Sequence, residues 1–362
     1  MPLCLEPLAQ PFNPPSFLLD WELTMKCNLD CSYCGTGVYG GHDNTTVHPE
    51  FHDCLKTIDF LYQYADAYLA YKISGLQKVV LNVYGGEALH HPDIVAILVA
   101  ARETHKHYSW PLTITTTTNA IVSHEKLQLL IPLIDQFTVS YHPESRNKHK
   151  QQFRENVLAI KHSGKTVKCV VLMHPEYFED AQNQIAWCQQ HNIDCQPKAI
   201  DHPQEWPQFN YDSRQVIWLN SLYNTNMAPK ENTDVSDQGR ACCGGRSLFF
   251  DGNYKSPTQF VANKFPDWYC SVNWFFVYVK QVNGEIFVNK DCMMNFDGSV
   301  GPIGNLSGSH LVLDKLKYQL ETNTLPTIQC KKHSCWCGLC APKAQTKEQY
   351  DSIIGKYQRK LA

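Results

Sequence analysis

The 362-residue sequence lacks several features that would have assigned it to a class at once. No stretch reaches the ~20 consecutive apolar residues of a membrane span, so no integral-membrane role is expected. The amino terminus, Met1-Pro2-Leu3-Cys4-Leu5-Glu6-Pro7-Leu8, has no basic segment and no sustained apolar core. It does not read as a secretory signal. The net charge is only −3, which gives no electrostatic reason to bind nucleic acid or an acidic membrane. With no export signal, the sixteen cysteines point to metal ligation more than to disulfides, because the cytosol keeps thiols reduced. A cytoplasmic chain, long enough for two domains, is the expectation.

Proline and glycine mark the ends of the first unit. Residues 1–16 carry Pro2, Pro7, Pro11, Pro14 and Pro15 and are too few for a folded domain. From Phe17 the chain alternates short β-rich runs with helix-period segments. Strands are expected at Phe17–Thr24, Lys78–Val83, Leu112–Thr118, Phe137–Tyr141, Lys168–His174 and Ile193–Ile200. Helices are expected over His48–Tyr71, 92–107, 123–133, 147–163 and 176–190. This spacing indicates βαβ units and a parallel sheet, here a partial (β/α)6 TIM-type barrel over 17–205. Chemistry in such barrels sits at the carboxyl ends of the strands.

At the end of the first strand stand Cys27, Cys31 and Cys34, spaced C-x3-C-x2-C. Thiolates at this density suit three corners of a [4Fe–4S] cube. A three-ligand set leaves one iron open for chemistry, by the logic that separates reactive metal sites from closed ones. C-x-x-C pieces also serve zinc and redox chemistry.

The triplet, with Tyr33 just before its last cysteine, resembles the signature of radical S-adenosylmethionine (SAM) enzymes. The resemblance implies that the open iron binds SAM. It also implies that one electron from the cluster cleaves SAM to methionine and a 5′-deoxyadenosyl radical, which takes hydrogen from a substrate. Gly85-Gly86-Glu87, after the second strand, resembles the family motif that holds the SAM amino group. Two glycines admit a close backbone approach, and Glu87 can accept from an ammonium; alone, Gly-Gly is simply a tight turn.

Thr118-Asn119-Ala120 stands where the family commonly has Thr-Asn-Gly, so Ala120 is a departure beside Asn119. By the same analogy Ser140 is the candidate partner of the SAM ribose. Met173, with Leu172 and His174, would line the adenine, though such residues are equally ordinary core. His142 could face substrate or solvent. Lys198 could meet a carboxylate or lie on the surface. Cys54, Cys169, Cys188 and Cys195 have no ligand spacing and read as small buried hydrophobes.

Residues 206–238 read as a connector or lid, with one helix over Ser213–Tyr223. Residues 239–345 are rich in cysteine. One hairpin is expected from Arg246–Phe250 turning at Asp251-Gly252. Another is expected from Phe275–Val279 turning at Asn283-Gly284 into Glu285–Val288. A final helix is expected over 346–362.

Hairpin cysteines followed by Cys337-Gly338-Leu339-Cys340 resemble the twitch domain, a shortened SPASM domain. That implies one auxiliary [4Fe–4S] cluster on Cys270, Cys292, Cys337 and Cys340. Cys330 and Cys335 depart from the minimal set, and a zinc site drawn from Cys330, His333, Cys335, Cys337 and Cys340 stays open. Cys242 and Cys243 are too close-set to share one cluster face, which leaves one of the pair as a candidate ligand or substrate contact.

The resemblance as a whole implies a radical SAM oxidoreductase with an auxiliary cluster that accepts an electron or binds substrate. It also implies an external one-electron donor such as flavodoxin or ferredoxin. A small-molecule substrate is expected, since no leader-binding domain fits before residue 17. A peptidyl substrate, as for a peptide-modifying SPASM maturase, and a non-catalytic iron–sulfur or zinc scaffold are the alternatives.

Overall fold

The computed structural model describes residues 16–34, 47–71, 78–200, 211–227, 248–249, 259–260, 267–290, 293–330, 343–344 and 346–355. The expected alternation is there. Strands β1 (Phe17–Thr24), β2 (Val79–Gly85), β3 (Leu112–Thr118), β4 (Gln136–Tyr141), β5 (Thr166–Met173) and β6 (Asp194–Ala199) are linked by α1 (Phe51–Tyr71), α2 (Ile94–His105), α3 (His124–Leu130), α4 (Asn147–His162) and α5 (Phe178–Gln190). All six strands lie side by side in parallel. The expected helix over 123–133 is split, α3 giving way to a 3-10 turn at Ile131–Leu133, because Pro132 has no N–H for the α-helical ladder.

Residues alternate between two faces along each strand. Leu19, Trp21, Leu81, Val83, Phe137, Val139, Cys169 and Val171 point to the helices and are buried. The opposite, concave face is polar. The strand register places Asp20 beside Asn82 and Glu22 beside Tyr84 on it, then Asn82 beside Thr115 and Thr117 beside Thr138.

The sheet does not stop at β1. The expected second hairpin forms from β10 (Phe276–Lys280) and β11 (Glu285–Phe287), closing at Lys280–Glu285 with Gly284 at φ +69°. Strand β10 docks parallel to the free edge of β1, pairing Leu18 with Phe276 through Glu22 with Lys280. With β12 (Gly304–Asn305), the sheet reaches nine strands, ordered β12-β11-β10-β1-β2-β3-β4-β5-β6.

Buried polar bonds fasten this junction. Gln281 Oε1 accepts from Trp21 Nε1 at 2.9 Å and from Thr57 Oγ1 at 2.7 Å. The Tyr68 hydroxyl donates to the Asn273 carbonyl. Beyond the barrel come α6 (Ser213–Met227), where a helix is expected over Ser213–Tyr223, and α7 (Ser309–Glu321), which packs beside α1.

The first expected hairpin takes a different register. Strand β7 (Leu248–Phe249) pairs with β8 (Gln259–Phe260), Phe249 opposite Gln259. A tight turn at Asp251-Gly252 would instead pair the residues flanking that dipeptide. A small sheet centres on β9 (Tyr269–Cys270), flanked by β13 (Ile328–Gln329) and β14 (Lys343–Ala344). Of the expected terminal helix, the described part is Lys347–Gly355. The expectations for residues 1–15 and 201–210 fall outside the described residues.

Candidate active site at the carboxyl ends of the strands

The loop carrying Cys27, Cys31 and Cys34 leaves β1 and lies across the carboxyl ends of its neighbours, held at each. At β2, Gly86 N donates to Thr24 O at 2.7 Å and Glu87 N to Lys26 O at 2.9 Å. This contact explains the Gly-Gly pair. A Cβ on Gly85 would meet the Thr24 carbonyl oxygen at 2.0 Å, and one on Gly86 the Met25 carbonyl oxygen at 2.4 Å. Gly85 also has φ +151°, a conformation that side chains rarely allow. The dipeptide is therefore packed against the chain entering the cysteine loop.

Glu87 is buried, and its carboxylate is already occupied. Oε1 accepts from Leu89 N at 3.0 Å and Thr118 Oγ1 at 2.7 Å, and Oε2 from Asn119 N at 2.6 Å. Burial raises its pKa against these donors. Its side chain fixes the β3 end to the β2 end.

At β3, Asn119 Nδ2 donates to Asn28 Oδ1 at 2.6 Å, and Asn28 Nδ2 to the Ile121 carbonyl at 2.9 Å. Cys27 Sγ receives the Leu29 N–H at 3.4 Å. Ala120, the departure from Thr-Asn-Gly, keeps the left-handed turn at φ +54°, with its carbonyl accepting from Asn156 Nδ2 at 2.8 Å.

At β4 and β5 the loop meets residues the sequence reading undervalued. Glu144 accepts both the N–H and the hydroxyl of Ser32. His142 stacks on Tyr33 at 6.0 Å and 6°, its Nδ1 lying 2.9 Å from the Tyr33 hydroxyl and 3.4 Å from Cys31 Sγ. His174 is buried, with Nε2 3.5 Å from Ser32 Oγ. A signal for these residues existed: His142-Pro143-Glu144 and His174-Pro175-Glu176 repeat one tripeptide at successive strand ends.

Burial pushes the Cys27 thiol up to about 12, and burial followed by Glu144 pushes Cys31 further. Without a cation beside them, both sulfurs therefore hold their protons as neutral thiols. Burial holds the His142 ring neutral, its pKa down at about 4.

The remaining candidates divide by face. Ser140 lies on the concave face, half-buried. Met173 points the other way, into the core with 0% exposure, and its carbonyl accepts from the Tyr211 hydroxyl. Lys198 is exposed on β6.

Of the expected auxiliary ligands, only Cys270 is among the described residues; Cys292, Cys337 and Cys340 are not, nor are Cys242, Cys243 and Cys335. Cys270 is buried in the central strand β9, opposite Ile328 on one side and Lys343 on the other. Cys330, also buried, donates its N–H to the Trp268 carbonyl. Lys343 is thereby set beside Cys270, and Cys330 beside Trp268, two residues before it.

No protein-family model matches the chain, and no curated protein does. Solved structures do. His-tagged anSMEcpe with bound AdoMet superimposes at a TM-score of 0.54 and 10% identity, covering 95% of this chain and 96% of that one. Native anSMEcpe with AdoMet and the Kp18Cys peptide gives 0.52 at 10% identity, covering 95% and 97%. With the Cp18Cys peptide the values are 0.51 and 12%, covering 95% and 96%. The neighbour is an anaerobic sulfatase-maturating enzyme of the radical SAM/SPASM kind. The chain has the radical SAM fold. Nearly its whole length enters the match, so the likeness extends past the six-stranded barrel. Among the described residues no helix is long and apolar enough to cross a membrane.

Proposed function

We propose that the protein is a radical SAM enzyme whose [4Fe–4S] cluster is held by Cys27, Cys31 and Cys34. The observation that carries this is the strapping of the cysteine loop to the ends of β2, β3, β4 and β5, with Gly85-Gly86 pressed against its entry. The donor set fits the group: three sulfurs in one short loop, with thiolate the usual ligand of such cubes. With the cluster and SAM bound there, the site would supply hydrogen-atom abstraction from substrate.

The chain's own residues position and shield. Gly85-Gly86-Glu87 offers backbone groups for the SAM amino group, with Glu87 acting through its hold on β3. Ser140, at the concave face, is the candidate for the ribose. Tyr33 and His142 wall the cysteine loop from the β4 side and keep water from it. Substrate lies against the concave face, where Tyr278 donates to Glu22 Oε2 at 3.0 Å and Asn82 to Asp20 Oδ1 at 2.5 Å. Glu22 Oε1 is buried without a hydrogen-bond partner. That polarity suits a substrate rich in hydrogen-bonding groups, such as a small polar molecule.

A peptidyl substrate is the second reading, favoured by the peptides bound in two of the structural neighbours. The auxiliary cluster is assigned to Cys270, Cys292, Cys337 and Cys340, a reading supported by the pairing of Ile328 and Lys343 with Cys270. It would exchange an electron with substrate in an oxidoreductase reaction, with a flavodoxin or ferredoxin as the outside donor in the cytoplasm.

The deciding experiment is anaerobic incubation of the iron-reconstituted protein with SAM and a reductant, read as 5′-deoxyadenosine. Formation by wild type and its loss in Cys31→Ala are expected. Equal formation by both would reject the assignment.

A further inference from the structure

Three cysteines that look unrelated in sequence meet on the helix side of the sheet. Cys169 on β5, Cys188 on α5 and Cys195 on β6 bring their Sγ atoms within 4.8 Å of one another. Cys169 and Cys195 are register partners across the two strands. Cys169 and Cys188 are buried and Cys195 is half-buried. Gln184, itself 0% exposed, donates Nε2 to Cys188 Sγ at 3.6 Å and accepts from Arg154 Nε at 2.8 Å.

We propose that Cys169, Cys188 and Cys195 form a three-thiolate site for one zinc(II) ion, separate from the cysteine loop at the strand ends. Zinc binds cysteine sulfur at ~2.3 Å, which places tetrahedral sulfurs ~3.8 Å apart. The observed spacing lies within a small side-chain adjustment of that. Loading forms three Zn–S bonds and releases three thiol protons. The product carries one net negative charge, and the Arg154 guanidinium, joined to Cys188 through Gln184, offsets it. Water beside the half-buried Cys195 completes the tetrahedron.

A buried cysteine needs no partner to be a good hydrophobe. Convergence from three elements, and a buried amide aimed at one sulfur, go beyond that explanation. The location also gives the ion a task. Strand β6 is the edge of the sheet, largely exposed, and carries Pro197, a residue that removes a ladder donor and is confined to such edges. Its outer edge has no strand partner among the described residues. Zinc would pin β6 to β5 and α5 and stiffen that side of the barrel. It faces away from the concave surface and takes no part in chemistry there.

The test is differential alkylation of the full-length, iron-reconstituted protein under anaerobic conditions, with zinc(II) alone as probe and mass spectrometry as readout. Zinc is expected to slow alkylation of Cys195 at least tenfold, a chelator to reverse this, and Cys188→Ser to abolish it with iron content unchanged. An unchanged Cys195 rate overturns the proposal, as does protection that survives Cys188→Ser. A Cys169–Cys195 disulfide in the anaerobic protein also overturns it. Should Cys188→Ser fail to fold, Cys195→Ser substitutes, read as bound metal. Loss of one zinc per chain supports the site, and undiminished zinc rejects it.

Discussion

Glu144 holds Ser32 twice: Oε1 accepts the backbone N–H at 2.6 Å and Oε2 the hydroxyl at 2.9 Å. Ser32 lies between the second and third cysteines of the loop, so a carboxylate just beyond the end of β4 sets the path on which Cys31 and Cys34 are presented. Hydrogen bonds to a charged group contribute about 1.5–3 kcal/mol each when sheltered, and less where Ser32 is exposed. Glu144→Ala is therefore expected to speed iron loss to a chelator about tenfold, leaving the melting temperature within a few degrees. Ser32→Ala, which removes only the hydroxyl bond, should have a smaller effect in the same direction. An unchanged rate in Glu144→Ala would show that Glu144 does not order the loop.

Gly85→Ala and Gly86→Ala place a methyl group against backbone oxygens that cannot move without displacing the cysteine loop. Strain and overpacking of this kind cost about 2–5 kcal/mol. Each variant should lose cluster retention before it loses secondary structure, seen as low iron content with near-normal far-ultraviolet circular dichroism. Full iron content in either variant would contradict the packing argument.

Much of this arrangement was legible in the sequence, for a physical reason. The cysteine triplet and Gly85-Gly86-Glu87 are local in the chain, and alternation of β-rich and helix-period segments reports directly on neighbouring strands. Long-range pairing is different. The apolar run of β10 is buried on both faces and says nothing about its partner, so its docking on β1 was not foreseen. The same holds for Cys169 and Cys195, which become neighbours only through strand register. Met173 illustrates the limit at one residue: its place at a strand end suggested cofactor contact, while the alternation of β5 turns it into the core. Glu144 and His174 were visible as a repeated His-Pro-Glu, yet that repeat has meaning only once β4 and β5 stand side by side.

His48 accounts for a pH dependence outside the cysteine loop. Its Nδ1 lies 3.1 Å from Thr24 Oγ1, and its ring lies 4.8 Å from His91 and 5.9 Å from His90. Burial, then His91, hold its pKa down at about 4, and burial lowers both neighbours. A depressed histidine pKa means the folded state binds fewer protons than the unfolded one. Stability is then present above the ordinary value near 6.5 and lost as pH falls toward 4. Between pH 7 and 4.5 the melting temperature should fall more steeply for wild type than for His48→Gln. Parallel profiles would refute this.

Glu22 carries the opposite sign. Burial raises its pKa, so the neutral acid is favoured in the fold, and stability declines as pH rises through the folded value. Glu22→Gln should therefore be more stable than wild type at pH 8, with the advantage shrinking toward pH 4 in urea titrations. If Glu22 also meets substrate, the same variant raises KM. Stability that tracks wild type at every pH would show that Glu22 is not held in a desolvated position.

The parallel docking of β10 on β1 has a consequence for how the molecule comes into being. During synthesis β1 leaves the ribosome before the other described strands, yet the partner for its outer edge is encoded more than two hundred residues later. Until Phe276–Lys280 arrives, the strand leading into the cysteine loop keeps an open row of amide and carbonyl groups, the condition that invites pairing with another chain. Contacts of such sequence separation also slow folding. A fragment ending at residue 205 would hold every barrel strand and every residue of the cysteine loop, and it should still aggregate. The carboxyl-terminal third thus finishes the barrel as well as extending it, and iron delivered before it has docked would meet an incomplete wall.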